Sequence, residues 1–223
     1  MHCKHCGKEV AETAETCAAC GRELKETHAP SKEIVGKVKA RSKDAMQAFK
    51  IFAVNPVGGL ARSFECLEKR QAMEVGIVFA VTFAACVLIG AYIGLPKWIG
   101  KPSFGDMMKL LISALVPFVS IAGASALARK VFRGAGSLEG DVFVAGASPL
   151  PPGFLILIGG VLGMANIEVI AILGVFALSY TILILYTGCT QISKIPDVGA
   201  APAVPIIILI SGWLSKVLFA AML

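Results

Sequence analysis

Residues 75–95, VGIVFAVTFAACVLIGAYIGL, form an unbroken run of 21 residues without a charged side chain. A helix needs about 20 predominantly apolar residues to cross the hydrocarbon core of a bilayer. Similar stretches follow along the chain, and the third is short. The sequence therefore predicts an all-α integral membrane bundle of five transmembrane helices, at about 75–95, 107–128, 149–165, 167–189 and 202–222.

The composition supports a membrane protein. The chain is 56% hydrophobic and 16% charged, with a mean hydropathy of +0.76, whereas soluble domains carry about 25% charged residues. Residues 1–74 hold 13 of the 21 basic and 10 of the 15 acidic side chains. No Asp, Glu or His lies at the centre of a predicted span, where it could relay protons, and this argues against an ion-coupled transporter.

Basic residues set the expected orientation. Three precede the first span and three follow the second, whereas the loop between these spans holds only Lys97 and Lys101. The positive-inside rule places the N-terminus in the cytoplasm and, with five spans, the C-terminus outside. We expect a prokaryotic inner (plasma) membrane protein. The basic residues that precede the first span are Arg62, Lys69 and Arg70, and those that follow the second are Arg129, Lys130 and Arg133.

Two C-x-x-C pairs near the N-terminus predict a metal site. The ligands are Cys3, Cys6, Cys17 and Cys20, and a glycine follows each pair. Four thiolates complete the tetrahedral shell of one structural zinc ion and leave no position open for catalysis. A redox role is the alternative, but such motifs begin a helix in a larger α/β domain, which this segment is too short to form.

We divide the chain into a zinc ribbon (1–26), a basic amphipathic linker (27–54) and a transmembrane domain (55–223). The linker has apolar residues at helical spacing beside a basic face, which predicts binding to anionic lipid. A solvated linker is the open alternative. The candidate lipid-binding residues are Lys37, Lys39, Arg41 and Lys43.

The third span is irregular, because it begins with three prolines and contains several glycines. One interpretation is a broken helix that lines a substrate path. The other, which we prefer, is a helix start followed by a small-residue face that packs against neighbouring helices. The candidate helix-break or packing residues are Pro149, Pro151, Pro152, Gly159, Gly160 and Gly163.

Residues 55–223 resemble the Yip family of five-span membrane proteins, in its prokaryotic branch. The resemblance is carried by NPVGGLARSFECLEKR before the first span and GAGSLEGDVFVAGASPLPP at the entry to the third. It implies a role in organising membranes; eukaryotic members associate with Rab-type small GTPases and have a longer cytosolic tail where this chain has the ribbon. The resemblance implies no catalytic residue.

No zincin, Walker or nucleophile-elbow motif occurs, so we expect no enzymatic activity. The sequence favours a membrane-organising or protein-docking adaptor that uses the ribbon to bind an unidentified cytoplasmic or membrane protein. A small-solute carrier or channel with a regulatory ribbon is the alternative. Membrane lipids are expected partners and homo-oligomers are left open, whereas five glutamates in residues 9–26 disfavour nucleic acid.

Overall fold

The structure is a computed structural model, and it describes residues 46–94, 102–162 and 167–222. Within these ranges the chain forms helices joined by short turns, and no described residue lies in a β-strand. The helices are α1 (46–54), α2 (Leu60–Glu65), α3 (Lys69–Gly94), α4 (Phe104–Val131), α5 (Leu138–Ala147), α6 (Leu150–Leu162), α7 (Ile167–Thr187), a π-helix (Gly188–Ile192) and α8 (Asp197–Met222).

Five helical stretches in the described part of the chain are long and apolar enough to cross a membrane. They are Lys69–Gly94, Phe104–Val131, Leu138–Leu162, Glu168–Ile192 and Asp197–Val217. Many of their large apolar side chains are exposed, as expected for helices whose outer faces contact lipid. This all-helical architecture agrees with the fold class predicted from the sequence.

The third of these stretches differs from the sequence prediction. It begins at Leu138, eleven residues before the predicted start at 149, and is built from α5 and α6 with a turn at Ser148 and Pro149. The prolines therefore lie in the middle of the stretch. Ser137 is the N-cap residue of this stretch: its side chain accepts a hydrogen bond from the Gly140 amide at 3.3 Å.

Close contacts at glycine residues show that α3 runs parallel to α5 and α6. A Cβ on Gly146 would overlap the Gly76 carbonyl, and a Cβ on Gly160 would overlap the Gly90 carbonyl. Midway between these contacts, a Cβ on Gly153 would lie 2.6 Å from the Phe83 ring. The two partners always differ by 70 residues, so the helices run parallel. We call these three contacts the glycine seam.

The remaining helices alternate in direction. The start of α8 lies against the end of α4, where a Cβ on Gly199 would come within 3.0 Å of the Phe132 ring. The end of α7 lies against α5, where Gly188 contacts the Val144 side chain. The segments 46–68, 132–137 and 188–196 therefore meet at one end of the bundle, which we call the α3-start end.

Helices α1 and α2 are packed onto this end by aromatic contacts. The Phe52 ring stacks on Phe79 with centroids 5.0 Å apart, and Phe79 contacts Phe143 at 5.8 Å. Phe64 of α2 also contacts Phe143, at 5.6 Å. Residues 46–54, which form α1, lie within the expected linker 27–54 and contact α3 through Phe52. The last part of the expected linker is therefore part of the bundle.

Candidate functional site

The most polar buried position in the described bundle is Asp141, one turn into α5. Its side chain has no exposed surface. Arg129 Nε donates a hydrogen bond to Asp141 Oδ2 at 2.8 Å, and Ser193 Oγ donates to Asp141 Oδ1 at 2.8 Å. Both carboxylate oxygens are thus paired, as a buried charge requires.

The loop between α4 and α5 closes this arrangement. After α4 ends, Arg133 adopts a left-handed conformation (φ 55°) and the Gly134 amide donates to the Arg129 carbonyl at 2.8 Å, which is the Schellman pattern of helix termination. Arg129 Nη1 then donates to the Gly136 carbonyl at 3.2 Å. The guanidinium is held between the loop and the Asp141 carboxylate.

The π-helix positions Ser193 from the other side. The Ser193 amide donates to the Gly188 carbonyl at 2.9 Å, which closes the wider turn, and Lys194 then adopts a left-handed conformation (φ 51°). The Gly136 amide donates to the Ser193 carbonyl at 3.0 Å. A Cβ on Gly136 would lie 2.5 Å from Ser193 Cα, so the two loops meet backbone to backbone. We call Arg129, Gly136, Asp141 and Ser193 the Asp141 cluster.

The chemistry of the Asp141 cluster is that of a structural joint between α4, α5 and the end of α7. The Ser193 hydroxyl donates to a carboxylate that is also paired with the Arg129 guanidinium, so these three side chains connect α4, α5 and the segment after the π-helix. No group of three potential metal ligands occurs in residues 46–94, 102–162 or 167–222. The cluster fixes three helix ends at the α3-start end.

Sequence reasoning missed Asp141, because it placed the third span after this residue. Asp141 lies near the start of the stretch Leu138–Leu162, away from its centre, and is paired there with Arg129. A signal was available, because an arginine and an aspartate flank a short glycine-containing loop. Their distance in space could not be inferred from the sequence.

At the break between α5 and α6, a backbone carbonyl receives its hydrogen bond from a neighbouring helix. Pro151 and Pro152 have no amide hydrogen, so carbonyl groups in the preceding turn lose their helical donors. The Ser148 carbonyl instead accepts a hydrogen bond from Thr181 Oγ1 of α7 at 3.2 Å. The same hydroxyl lies 2.9 Å from the Ala177 carbonyl, so its one proton serves both acceptors.

An apolar groove runs between α6 and α7. It is lined by α6 from Pro152 to Gly159 and by α7 from Ile170 to Thr181, and its volume is about 390 Å³. Its glycines, Gly159 and Gly174, have no atom within 4 Å of a Cβ built on them, so the absence of side chains there leaves the groove open. We call it the α6/α7 groove.

The residues selected from the third span take separate places. Pro149 lies in the turn between α5 and α6, and Pro151 and Pro152 are in the first turn of α6. Gly160 belongs to the glycine seam, whereas its neighbour Gly159 faces the α6/α7 groove. Gly163 lies outside the described residues.

The metal-ligand and lipid-binding candidates also lie outside the described residues. These are Cys3, Cys6, Cys17 and Cys20, and Lys37, Lys39, Arg41 and Lys43. The donor set itself fits zinc, because four cysteine thiolates in two C-x-x-C pairs form the soft, closed tetrahedral shell of structural sites. When bound, the ion would link the two pairs.

Comparison with protein families matches residues 2–24 to a zinc-ribbon domain. This match covers the four cysteines and agrees with the zinc ribbon predicted at the N-terminus. Comparison with curated proteins and with solved structures found no significant match. The chain is thus a zinc-ribbon module followed by five helices that are apolar and long enough to span a membrane.

Proposed function

We propose that this chain is a non-enzymatic integral membrane protein whose zinc ribbon docks a protein partner in the cytoplasm. The observation that carries the proposal is the pairing of a zinc-ribbon domain with five apolar helices in one short chain. A zinc ion with four protein ligands stabilises a small module but leaves no open coordination site for substrate. Binding is the role that such a closed module can perform.

The distribution of charge supports the cytoplasmic orientation. At the α3-start end the described bundle exposes Lys50, Lys130 and Lys194 together with four arginines or lysines that flank helix ends, whereas the opposite end has Lys109 and Lys216. Basic residues concentrate on the cytoplasmic side of membrane proteins. The first described helices lie at this basic end, and α8 runs from it to the opposite end. The C-terminus would therefore lie outside. The four basic residues that flank helix ends at the α3-start end are Arg62, Lys69, Arg70 and Arg133.

The resemblance to the Yip family supports a role in organising the membrane or binding other membrane proteins. The five apolar helices are compatible with that family's architecture. We do not extend the proposal to a small-GTPase partner, because this chain has a zinc ribbon where the eukaryotic proteins carry a longer cytosolic tail. The partner we propose is a cytoplasmic or membrane protein that recognises the folded ribbon.

The test is co-purification from the native membrane in mild detergent. The wild-type chain is compared with Cys3→Ser/Cys6→Ser and with Cys66→Ser, which alters an exposed cysteine outside the ribbon. We expect a partner that is present with the wild type and Cys66→Ser and absent with the double variant. A partner set that is the same for all three proteins would contradict the docking role.

The carrier or channel hypothesis has less support. A polar solute needs polar groups along its path, but the α6/α7 groove is apolar and its hydroxyl, on Thr181, already donates to backbone carbonyls. Next to the groove, α3 and α6 pack backbone to backbone at Gly90 and Gly160. These features of the described bundle favour a packed scaffold over a solute path.

A further inference from the structure

Two loops at the α3-start end, residues 132–137 and 193–196, each carry a basic residue in a strained backbone conformation. Arg133 and Lys194 have φ angles of 55° and 51°, and they are the non-glycine residues with positive φ in the part of the chain that the structure describes. A residue with a Cβ is strained in this left-handed region, so glycine is the usual residue where a helix ends in this way. Each loop thus keeps a basic side chain where glycine would be less strained. We call the two loops the basic loop pair.

The two loops touch, so Arg133 and Lys194 are neighbours in space. Gly134 follows Arg133, and a Cβ on Gly134 would lie 2.5 Å from the carbonyl oxygen of Ser193, the residue before Lys194. The Gly136 amide donates to the same carbonyl at 3.0 Å. Long basic side chains that begin on either side of such a contact can reach one common anion.

The charges at the basic loop pair lack direct partners. Arg133 and Lys194 are exposed, and so is Lys130 in the last turn of α4. None of these three takes part in an ion pair within the described part of the chain. The acidic residues that follow the loops, Glu139 and Asp197, lie in the first turns of α5 and α8, where a helix N-terminus stabilises a carboxylate. Three basic side chains at one place are therefore open to an anionic ligand.

The position of the basic loop pair along the bundle matches the headgroup layer of a bilayer. Residues 110–128 of α4 carry no charge and extend over about 28 Å, close to the hydrocarbon thickness of about 30 Å. Arg133 comes five residues after Ala128, which is about 7.5 Å at 1.5 Å per residue. The headgroup layer adds about 5–8 Å on each side of the hydrocarbon. The anion that a membrane supplies at this depth is a lipid phosphate.

We propose that Arg133 and Lys194, together with Lys130, bind the phosphate of one anionic phospholipid from the leaflet at the α3-start end. The guanidinium of Arg133 presents a planar fork of donors that fits two phosphate oxygens, and the Lys194 ammonium adds a point charge. Basic pockets between transmembrane helices bind the headgroups of anionic lipids. Orientation in the membrane requires positive charge at this end but not at the two strained positions. The site is independent of the zinc ribbon and of its docking role.

Glycine substitutions separate backbone strain from ligand binding. Arg133→Gly/Lys194→Gly removes both charges and relieves both left-handed positions, so we expect a higher Tm than the wild type together with weaker lipid binding. The matched control is Lys50→Ala/Arg62→Ala, which removes the same charge from exposed positions in α1 and α2 at the same end. Arg133→Lys/Lys194→Arg keeps both charges and should keep most of the binding.

The measurement is native mass spectrometry of the delipidated full-length protein in mild detergent, titrated with palmitoyl-oleoyl-phosphatidylglycerol. Each basic residue near a membrane surface strengthens binding to anionic lipid about fivefold, so we expect about 25-fold weaker binding by the double glycine variant. The alanine control should bind as the wild type does. The zwitterionic phosphatidylcholine with the same acyl chains should bind the wild type more weakly, and inorganic phosphate at the concentration of the lipid should not displace phosphatidylglycerol.

Three results would overturn the proposal. The first is equal phosphatidylglycerol binding by the glycine variant and the alanine control; if the glycine variant also loses the partner in the co-purification experiment, the basic loop pair belongs to the docked protein. The second is displacement of the lipid by inorganic phosphate, which would assign the site to a soluble anion. The third is a lower Tm for the glycine variant, which would assign the two side chains to the fold. Failure of the docking role would instead appear with Cys3→Ser/Cys6→Ser, which leaves these loops unchanged.

Discussion

Gly160 of α6 lies directly against the backbone of Gly90 in α3, so closely that a Cβ on Gly160 would overlap the Gly90 carbonyl. A Cβ on Gly90 would in turn lie 2.7 Å from the Ile156 carbonyl. Small residues allow helix backbones in a membrane to approach, where van der Waals packing replaces the hydrophobic effect as the driving force. The seven-residue spacing of Gly146, Gly153 and Gly160 repeats such contacts along one face.

The glycine seam predicts that adding one methyl group destabilises the protein. Gly160→Ala should lower the free energy of unfolding by about 1–3 kcal/mol, because the backbones of α3 and α6 must separate. The neighbouring Gly159→Ala is the control, because its Cβ meets open space and alanine favours a helix over glycine. Thermal melts in detergent should show a lower Tm for Gly160→Ala alone. Equal Tm values for both variants would contradict the seam.

Removing one partner of the buried ion pair should lower the free energy of unfolding more than replacing both partners with apolar residues. Asp141→Asn keeps an acceptor for Ser193 but leaves the Arg129 charge unpaired, and removing one partner of a buried pair costs about 3–5 kcal/mol. The double variant Arg129→Met/Asp141→Leu removes both charges and should recover most of that loss. The check is a double-mutant cycle on unfolding free energies, with Arg70→Met/Glu74→Leu at an exposed pair as the control. Additive effects at Arg129 and Asp141 would contradict coupling between them.

The hydroxyl of Thr181 should stabilise the break between α5 and α6. Thr181→Val keeps the size and shape of the side chain but removes the donor to the Ser148 carbonyl, which should cost about 1–3 kcal/mol at a buried acceptor. Thr181→Ser retains the hydroxyl and should stay closer to the wild type. Ser179→Val is a comparison in which an exposed hydroxyl donates only within its own helix, to the Val175 carbonyl. A Thr181→Val loss no greater than that of Ser179→Val would count against the interhelical bond.

The zinc ribbon should lose its metal on acidification. Thiolates bind zinc and thiols do not, so protons compete with the ion and affinity falls as the pH falls. We expect about one zinc per wild-type chain at neutral pH. A chromophoric chelator should capture more of the zinc as the pH is lowered, and Cys3→Ser/Cys6→Ser should carry none. Zinc content that is equal in the wild type and this variant would contradict the ligand assignment.

The sequence predicts the class of the fold well, because length and hydropathy alone determine whether a helix can cross a bilayer. It fails at the start of the third helical stretch. The prolines and Asp141 both argue against a span that begins at Leu138, and both are compensated by residues distant in the chain. Thr181 satisfies the Ser148 carbonyl and Arg129 neutralises the carboxylate. Such compensation depends on tertiary contacts that no single stretch reveals.

The seam and the groove were only partly predictable. Gly146, Gly153 and Gly160 recur every seven residues, which indicates a packing face, but the sequence does not tell which span receives it. Gly159 and Gly160 are adjacent and equally small, yet one opens the α6/α7 groove and the other contacts Gly90. The rotation of α6 about its axis decides between these roles, and that rotation is set by the partner helix.

The constant offset of 70 residues between the seam partners has a consequence for biogenesis. Chains are synthesised at about 5–20 residues per second, so α6 follows its partner α3 out of the ribosome by about 4–14 seconds. During that interval the small-residue face of α3 is in the membrane without its partner helix α6. Insertion machinery or bulk lipid must cover Gly76 and Gly90 until the third helical stretch arrives. The glycine seam therefore cannot form until the third helical stretch has been synthesised.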